Sequence, residues 1–322
     1  MTKRHRFCAP LAVAGLVLSI LDWTEAAATG KPEPVKVFIL AGQSNMQGAG
    51  AIVAKPEHND GKGSLEYLVR NRATAKRFAH LVDRKGEWTA RDDVWIWYFE
   101  RVGKLSVGYG SKKDRIGPEL QFGHVVGDRY EEPVVLIKVA WGGKSLAKDF
   151  RPPSSGGEVG PYYTELIQHV REVLGDLKKH FPAYRGQGYE IVGFGWHQGW
   201  NDRINQAFND EYEKNLANFI RDVRKELGIE KLPFVIAETG MSGHEEKHPR
   251  ALSLMQAQAA VAKHREFRGN VAFVGTKDFY RPPEESPSRQ GYHWNSNAET
   301  YFLIGDAMGK AMIDLVSRGG KR

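Results

Sequence analysis

Four short stretches carry the residue types that acyl transfer needs: Gly42-Gln43-Ser44-Asn45-Met46, Trp141-Gly142-Gly143, Gln198-Gly199-Trp200-Asn201-Asp202 and Gly291-Tyr292-His293. A serine hydroxyl becomes a nucleophile when a nearby base takes its proton, and histidine is the usual base near neutral pH. Ser44 follows an apolar run and reads as a sharp strand-to-helix turn with an exposed hydroxyl and a free backbone N–H; the plainer alternative is a helix cap. It is not the Gly-x-Ser-x-Gly elbow, because Met46 stands where the second glycine would be. Gly142-Gly143 lets backbone N–H groups approach a substrate closely, although a tight turn would use the same pair. Asn201 could donate a side-chain N–H to a developing oxyanion, whereas an ionised Asp202 can only accept. His293 sits in a loop ahead of the last helical pattern, well placed to swing toward Ser44.

These motifs are positioned by the elements that precede them. Val35–Ala41, Val134–Ala140, Tyr189–Trp196, Pro233–Ala237 and Val271–Gly275 are near-continuous apolar runs, as expected of parallel strands covered on both faces. Helical spacing runs through Tyr162–Phe181, Asp210–Leu227, Pro249–His264 and about Ser296–Val316. Alternating strands and helices imply βαβ units and an α/β three-layer αβα sandwich on a five-stranded, mostly parallel sheet. Ligands of such sheets bind beyond the carboxyl ends of the strands, where the four motifs fall. Residues 51–116 are rich in glycine, charge and aromatics, and Asp93–Glu100 alternates like an antiparallel strand. This stretch reads as an insertion folding over one end of the sheet.

The order Gly-Gln-Ser-Asn-Met, Gly-Pro-Glu (Gly117–Glu119), Gly-Gly, Gln-Gly-x-Asn-Asp and a C-terminal histidine resembles SGNH hydrolases. Within them it resembles the sialate O-acetylesterase-like branch related to carbohydrate esterase family six. The resemblance implies a flavodoxin-like SGNH hydrolase fold over residues 35–320, no cofactor, and removal of acetyl groups from sugars. By position it makes Ser44 the nucleophile and His293 the base. The oxyanion hole it implies comes from the backbone N–H of Ser44, that of Gly143 and the Asn201 side chain. Gln43, Gln198, Trp200 and Trp141 are the candidate substrate contacts, and tryptophans 141, 196, 200 and 294 all border the motifs.

Two positions depart from that pattern. The family's aspartate, three residues before the histidine, is Gln290 here, and a neutral amide cannot stabilise an imidazolium as a carboxylate does. Asp278, which closely follows a strand, is the preferred replacement; Glu284, Glu285 or a backbone carbonyl in a Ser-His dyad are the others. Trp200 stands where the carbohydrate esterases usually carry glutamate. These departures also support an alternative from another class, a catalytically weak carbohydrate-binding protein on the same fold.

The remaining composition bounds the setting. Lys3, Arg4 and Arg6 precede an apolar stretch from Ala9 to Leu21 and small residues at Ala26–Ala28, the pattern of a secretory signal peptide over residues 1–28. The predicted location is exported, periplasmic or secreted, with no membrane contact after cleavage. The single cysteine, Cys8, lies in that leader, so the mature chain relies on its core rather than on disulfides. A net charge of +7 is spread among interleaved acids, which argues for a solvated surface and against a nucleic-acid groove. The expected partner is an acetylated carbohydrate. His244-Glu245-Glu246-Lys247-His248 matches a zinc motif that requires one helix face, but Pro249 follows at once, so a charged loop without metal is the better reading.

Overall fold

The computed structural model describes residues 33–319; the expected leader, with Cys8 and the cleavage point after Ala28, lies outside the described residues. The main sheet contains β1 (Val35–Gly42), β2 (Val94–Tyr98), β3 (Arg101–Lys104), β4 (Val134–Ala140), β5 (Tyr189–His197), β6 (Phe234–Ala237) and β7 (Val271–Val274). They stand in the order β3-β2-β4-β1-β5-β6-β7, parallel throughout except for the edge strand β3. The predicted five strands are all present, but the sheet has seven.

The two additional strands come from the segment expected to be an insertion. Val94–Tyr98 pairs parallel to β4 and closes an antiparallel hairpin with β3. Its alternation is not polar against apolar. Trp95 and Trp97 fill the core on one face of the sheet while Val94 and Ile96 fill the other, so the strand is covered on both sides. Ile52, Leu65, Leu68, Phe78 and Leu81 form a small core with Leu120, Ala298 and Phe302.

Six helices matter to the site: α1 (Ser44–Gln47), α2 (Glu119–Gly127), α3 (Pro161–Gly175), α4 (Tyr212–Leu227), α5 (Pro249–Val261) and α6 (Ala298–Gly319). Proline opens α3 and α5, where its missing N–H leaves no helical bond unmade. Gly228, at φ 70°, ends α4 in the left-handed conformation. Tyr163, Leu166, Ile167, Val170 and Val173 of α3 join residues of α4 and α5 against Val37, Ile39 and Ala41 of β1. Phe122 and Val126 of α2 and Ile304, Met308 and Met312 of α6 pack against Phe38 and Leu40 on the opposite face. The result is three layers, with the central strand β1 delivering Ser44 to the carboxyl edge of the sheet.

Candidate active site

Ser44 begins α1 directly after β1, and Gln43, Asn45 and Met46 around it are all buried. Ser44 alone in Gly42–Met46 (the remaining residue, Gly42, being buried) is partly open to solvent. Gly42 makes the turn possible: at φ 153° a Cβ there would stand 2.2 Å from the His197 carbonyl oxygen. As the first residue of a helix, Ser44 has an N–H with no intrahelical acceptor. The N–H groups of Met46 and Gln47 turn back onto the Gln43 carbonyl at 2.8 and 2.9 Å, which fixes the serine at the apex.

Gln43 and Asn201 tie the serine turn to the two neighbouring strand ends. Gln43 Nε2 donates to Asn201 Oδ1 at 3.1 Å, and Gln43 Oε1 accepts from the Gly199 N–H at 3.0 Å. Asn201 Nδ2 in turn donates to the Gly143 carbonyl at 2.8 Å. One N–H of that amide is thereby used, and the other remains on the same nitrogen. Gly142 and Gly143 are exposed, Gly143 at φ 71°, and a Cβ built on Gly142 would lie 4.0 Å from Ser44 Cβ. Ser44, Gly143 and Asn201 are therefore neighbours, as the motif order implied.

Gln43 and Gln198 are not candidate substrate contacts in this geometry. Gln43 is 2 % exposed and Gln198 1 %. Gln198 Nε2 donates to the Lys144 carbonyl at 3.0 Å and to Asp202 Oδ2 at 2.6 Å. Asp202, fully buried, accepts from the N–H groups of Leu146 and Ala147 at 2.8 Å each, anchoring the glycine loop from behind. Burial pushes its carboxyl up to about 7, against the hydrogen bonds from Gln198, Leu146 and Ala147 that favour the ionised form. These side chains have no route to a ligand and act as scaffold.

His293 lies half-buried in a 3-10 turn, and burial pushes its imidazole below the ordinary value. Two contacts fasten its loop to the serine turn. Asn45 Nδ2 donates to the Tyr292 carbonyl at 3.0 Å, and Tyr301 from α6 donates its hydroxyl to Asn45 Oδ1 at 2.8 Å. Three non-glycine residues follow His293 at positive φ: Trp294 at 52°, Asn295 at 53° and Ser296 at 58°. Such a run is costly and persists only where the surroundings over-determine it. Trp294 is fully buried, Asn295 Nδ2 donates to the Arg281 carbonyl at 3.0 Å, and the Ser288 N–H donates to the Asn295 carbonyl at 2.9 Å. Asn45 and Tyr301 escaped the sequence reading, although asparagine directly after the serine was a visible signal for one of them.

The structure pairs the suggested replacement acid with another histidine. Asp278 Oδ1 pairs with His244 Nε2 at 2.6 Å, and its side chain is 85 % exposed. Among the described residues no carboxylate offsets the effect of burial on His293. The Gln290 carbonyl accepts the His293 N–H at 2.8 Å, one 3-10 turn earlier, while Glu284 and Glu285 are exposed. The zinc-like motif falls apart for the expected reason: His244 sits in a separate 3-10 turn, and His248 caps α5 by accepting the Arg250 N–H on Nδ1 at 3.2 Å.

The four tryptophans divide. Trp196 and Trp294 are fully buried core residues. Trp200 and Trp141 are partly exposed, the first beyond the end of β5 and the second beyond the end of β4. Trp200 packs 5.7 Å from the ring of Tyr292 and carries the Arg203 guanidinium 3.8 Å above its face. Trp141 packs among Phe99, Phe150 and Tyr162. His197, which also ends a strand, is fully buried and pushed down to about 4 by burial, so it stays neutral and away from solvent.

Known proteins share this arrangement of elements. A probable carbohydrate esterase of Arabidopsis thaliana is 26% identical over 202 residues, 63% of this chain and 68% of that protein. An X-ray structure of an Arabidopsis thaliana protein matches with a TM-score of 0.55 at 17% identity, covering 87% of this chain and 98% of its own. NanS matches with a TM-score of 0.56 at 14% identity over 91% of this chain and 99% of its own. A carbohydrate acetylesterase from Xanthomonas citri matches with a TM-score of 0.51 at 13% identity over 85% and 56%. At these identities the solved structures speak for the fold. Residues 34–314 match as a whole, and the chain belongs to the family of carbohydrate esterases described as sialic acid-specific acetylesterases.

Proposed function

We propose that this carbohydrate esterase is an exported serine enzyme that removes O-acetyl groups from sugars, with Ser44 as nucleophile and His293 as general base. The observation that carries the reading is the joint between the two loops. Asn45, next to Ser44, holds the carbonyl of Tyr292, next to His293, at 3.0 Å across 247 residues of sequence.

In the proposed reaction His293 takes the Ser44 proton as Oγ attacks the acetyl carbonyl carbon. The carbonyl π electrons move onto oxygen, which the N–H groups of Ser44 and Gly143 and the Asn201 amide hold. Collapse breaks the ester bond, and His293 returns the proton to the departing sugar hydroxyl. A water, deprotonated by His293, then attacks the acetyl-serine carbonyl carbon; the Ser44 Oγ–acyl bond breaks, acetate is released, and His293 returns the proton to Ser44. With Asp278 engaged elsewhere, His293 works in this scheme as one half of a dyad, its loop held by backbone and core contacts rather than by a carboxylate. Export rests on the leader pattern at residues 1–28 and is checked by the N-terminus of the protein recovered from the producing cell.

The deciding assay compares acetate release from 4-nitrophenyl acetate and from acetylated glycans by the mature chain and by Ser44→Ala. Loss of activity in the variant supports the serine mechanism. Equal inertness of both proteins, with retained binding of an acetylated glycan, would instead make the chain a binding protein.

A further inference from the structure

Lys138 lies on β4, the strand bonded to one side of β1, and its side chain is fully buried together with that of Glu119 at the start of α2. An ammonium has three donors. Three acceptors surround this one at 2.7 Å each: Glu119 Oε2, the Tyr109 carbonyl and the Gln47 carbonyl. Gln47 is the last residue of α1, the single turn that begins at Ser44. One turn of helix is not stable alone, and its terminal carbonyls have no partners within it. Lys138 supplies that partner from below. The Gln47 side chain continues the link upward: Nε2 donates to the Tyr98 hydroxyl at 2.9 Å, and Oε1 lies 3.1 Å from where a Cβ on Gly142 would stand. Glu119 also accepts the Gly117 N–H on Oε1 at 2.8 Å, which gives the Gly-Pro-Glu motif a physical task.

We infer that the buried Lys138–Glu119 pair is a positioning element of the esterase reaction, fixing the height and direction of Ser44 by holding the Gln47 carbonyl. A buried ion pair is a poor source of stability, since desolvation offsets the attraction and an apolar pair of similar volume serves as well. Its location under the one turn that carries Ser44 points to placement instead. The inference rests on Ser44 being the nucleophile.

Titration separates placement from stability. Burial pushes Lys138 down from 10.5 to about 8, with Glu119 opposing the fall and Arg101 adding to it. The groups facing it are Glu119 from α2, Tyr98 from β2, whose ring lies 4.6 Å away, and Arg101 from β3. Above that pH the neutral amine has two N–H groups for three buried acceptors, and one goes unpaired. Stability moves the other way: a folded value below the unfolded one makes the Lys138 contribution rise as the pH climbs from about 8 to 10.5. A fall in kcat above about 8 therefore does not come from unfolding through this group.

The experiment measures kcat and KM against pH, and the rate of Ser44 labelling by diethyl 4-nitrophenyl phosphate, for the wild type and for Lys138→Met combined with Glu119→Leu. In the double variant the Gln47 and Tyr109 carbonyls and the Gly117 N–H lose their partners, so its Tm is expected to fall, and the folded protein is expected to lose about 10–100-fold in kcat with little change in KM, because small displacements of a reacting group are that costly. Its alkaline limb should also disappear. A folded double variant with wild-type kcat and an unchanged limb overturns the inference. Should that variant fail to fold, the wild-type labelling rate decides: a decline above about pH 8 supports the inference, and a flat rate to pH 10 overturns it. Full activity in Ser44→Ala together with no label on Ser44 removes the nucleophile on which the inference stands, and is distinguishable from both.

Discussion

Asn201 donates its side-chain amide to the Gly143 carbonyl at 2.8 Å while its own oxygen is held by Gln43, so the candidate oxyanion donor is clamped at both ends. Asn201→Ala should lower kcat about 10²–10³-fold, the usual cost of one oxyanion donor. Gln43→Met, at a site with no substrate contact, should lower kcat while leaving KM nearly unchanged. Steady-state kinetics of the two variants check both; an unchanged kcat in Asn201→Ala would exclude it as a donor.

Burial lowers the His293 pKa, and a general base acts only when neutral. The acid limb of kcat/KM should therefore have its midpoint below the 6.5 of an ordinary histidine. Protonation is also destabilising here: the contribution to stability is present above the ordinary value and is lost as the pH falls through the lowered one. A kcat/KM profile with a midpoint above 6.5 would contradict this placement of the base.

Asp278→Asn should leave kcat within about twofold, since an exposed ion pair with His244 contributes little. Gln290→Asp places a carboxylate three residues before His293, at the residue whose carbonyl accepts the His293 N–H. It should raise the imidazole pKa and move the acid limb to higher pH, while raising kcat. A matched pair of pH–rate profiles distinguishes the two positions.

Asp202 gives a prediction about stability. Its carboxyl is pushed up from 3.8 to about 7, so its contribution is fully present below 3.8 and is lost as the pH rises through about 7. Asp202→Asn removes that dependence and sets an amide donor against backbone donors, at about 1–3 kcal/mol. The Tm deficit of the variant should be largest near pH 4 and narrow toward pH 7; a deficit constant across that range would count against the raised value.

The sequence showed what repeats and hid what is decided by depth. Five strands and the long helices were legible because apolar runs and helical spacing are local properties. Val94–Tyr98 reads as an antiparallel strand from its alternation and does pair antiparallel with β3, but it also pairs parallel with β4 and both its faces are covered. The motifs fall at strand ends, yet within them sequence could not separate exposed side chains from those that turn inward. Gln43 and Gln198 carry the same amide as Asn201 and are buried, with hydrogen bonds to Asn201 and Lys144 far along the chain. Trp196 and Trp200 are four residues apart, one in the core and one at the rim. Lys138, a charge inside an apolar strand, was a signal of something buried and paired, but its partner Glu119 lies on a helix, 19 residues away.

The fastening of the His293 loop to the serine turn has a consequence for biosynthesis. Asn45 meets Tyr292 and Tyr301 across separations of 247 and 256 residues, so the two halves of the candidate machinery lie near opposite ends of the chain. As the chain folds, the sheet can begin to form around β1, β4 and β5 before the loop that carries the base has docked. Contacts of such range close late, after the entropy of the intervening loop has been overcome. A nascent or refolding chain should therefore regain its helical signal before it regains any capacity to cleave an ester.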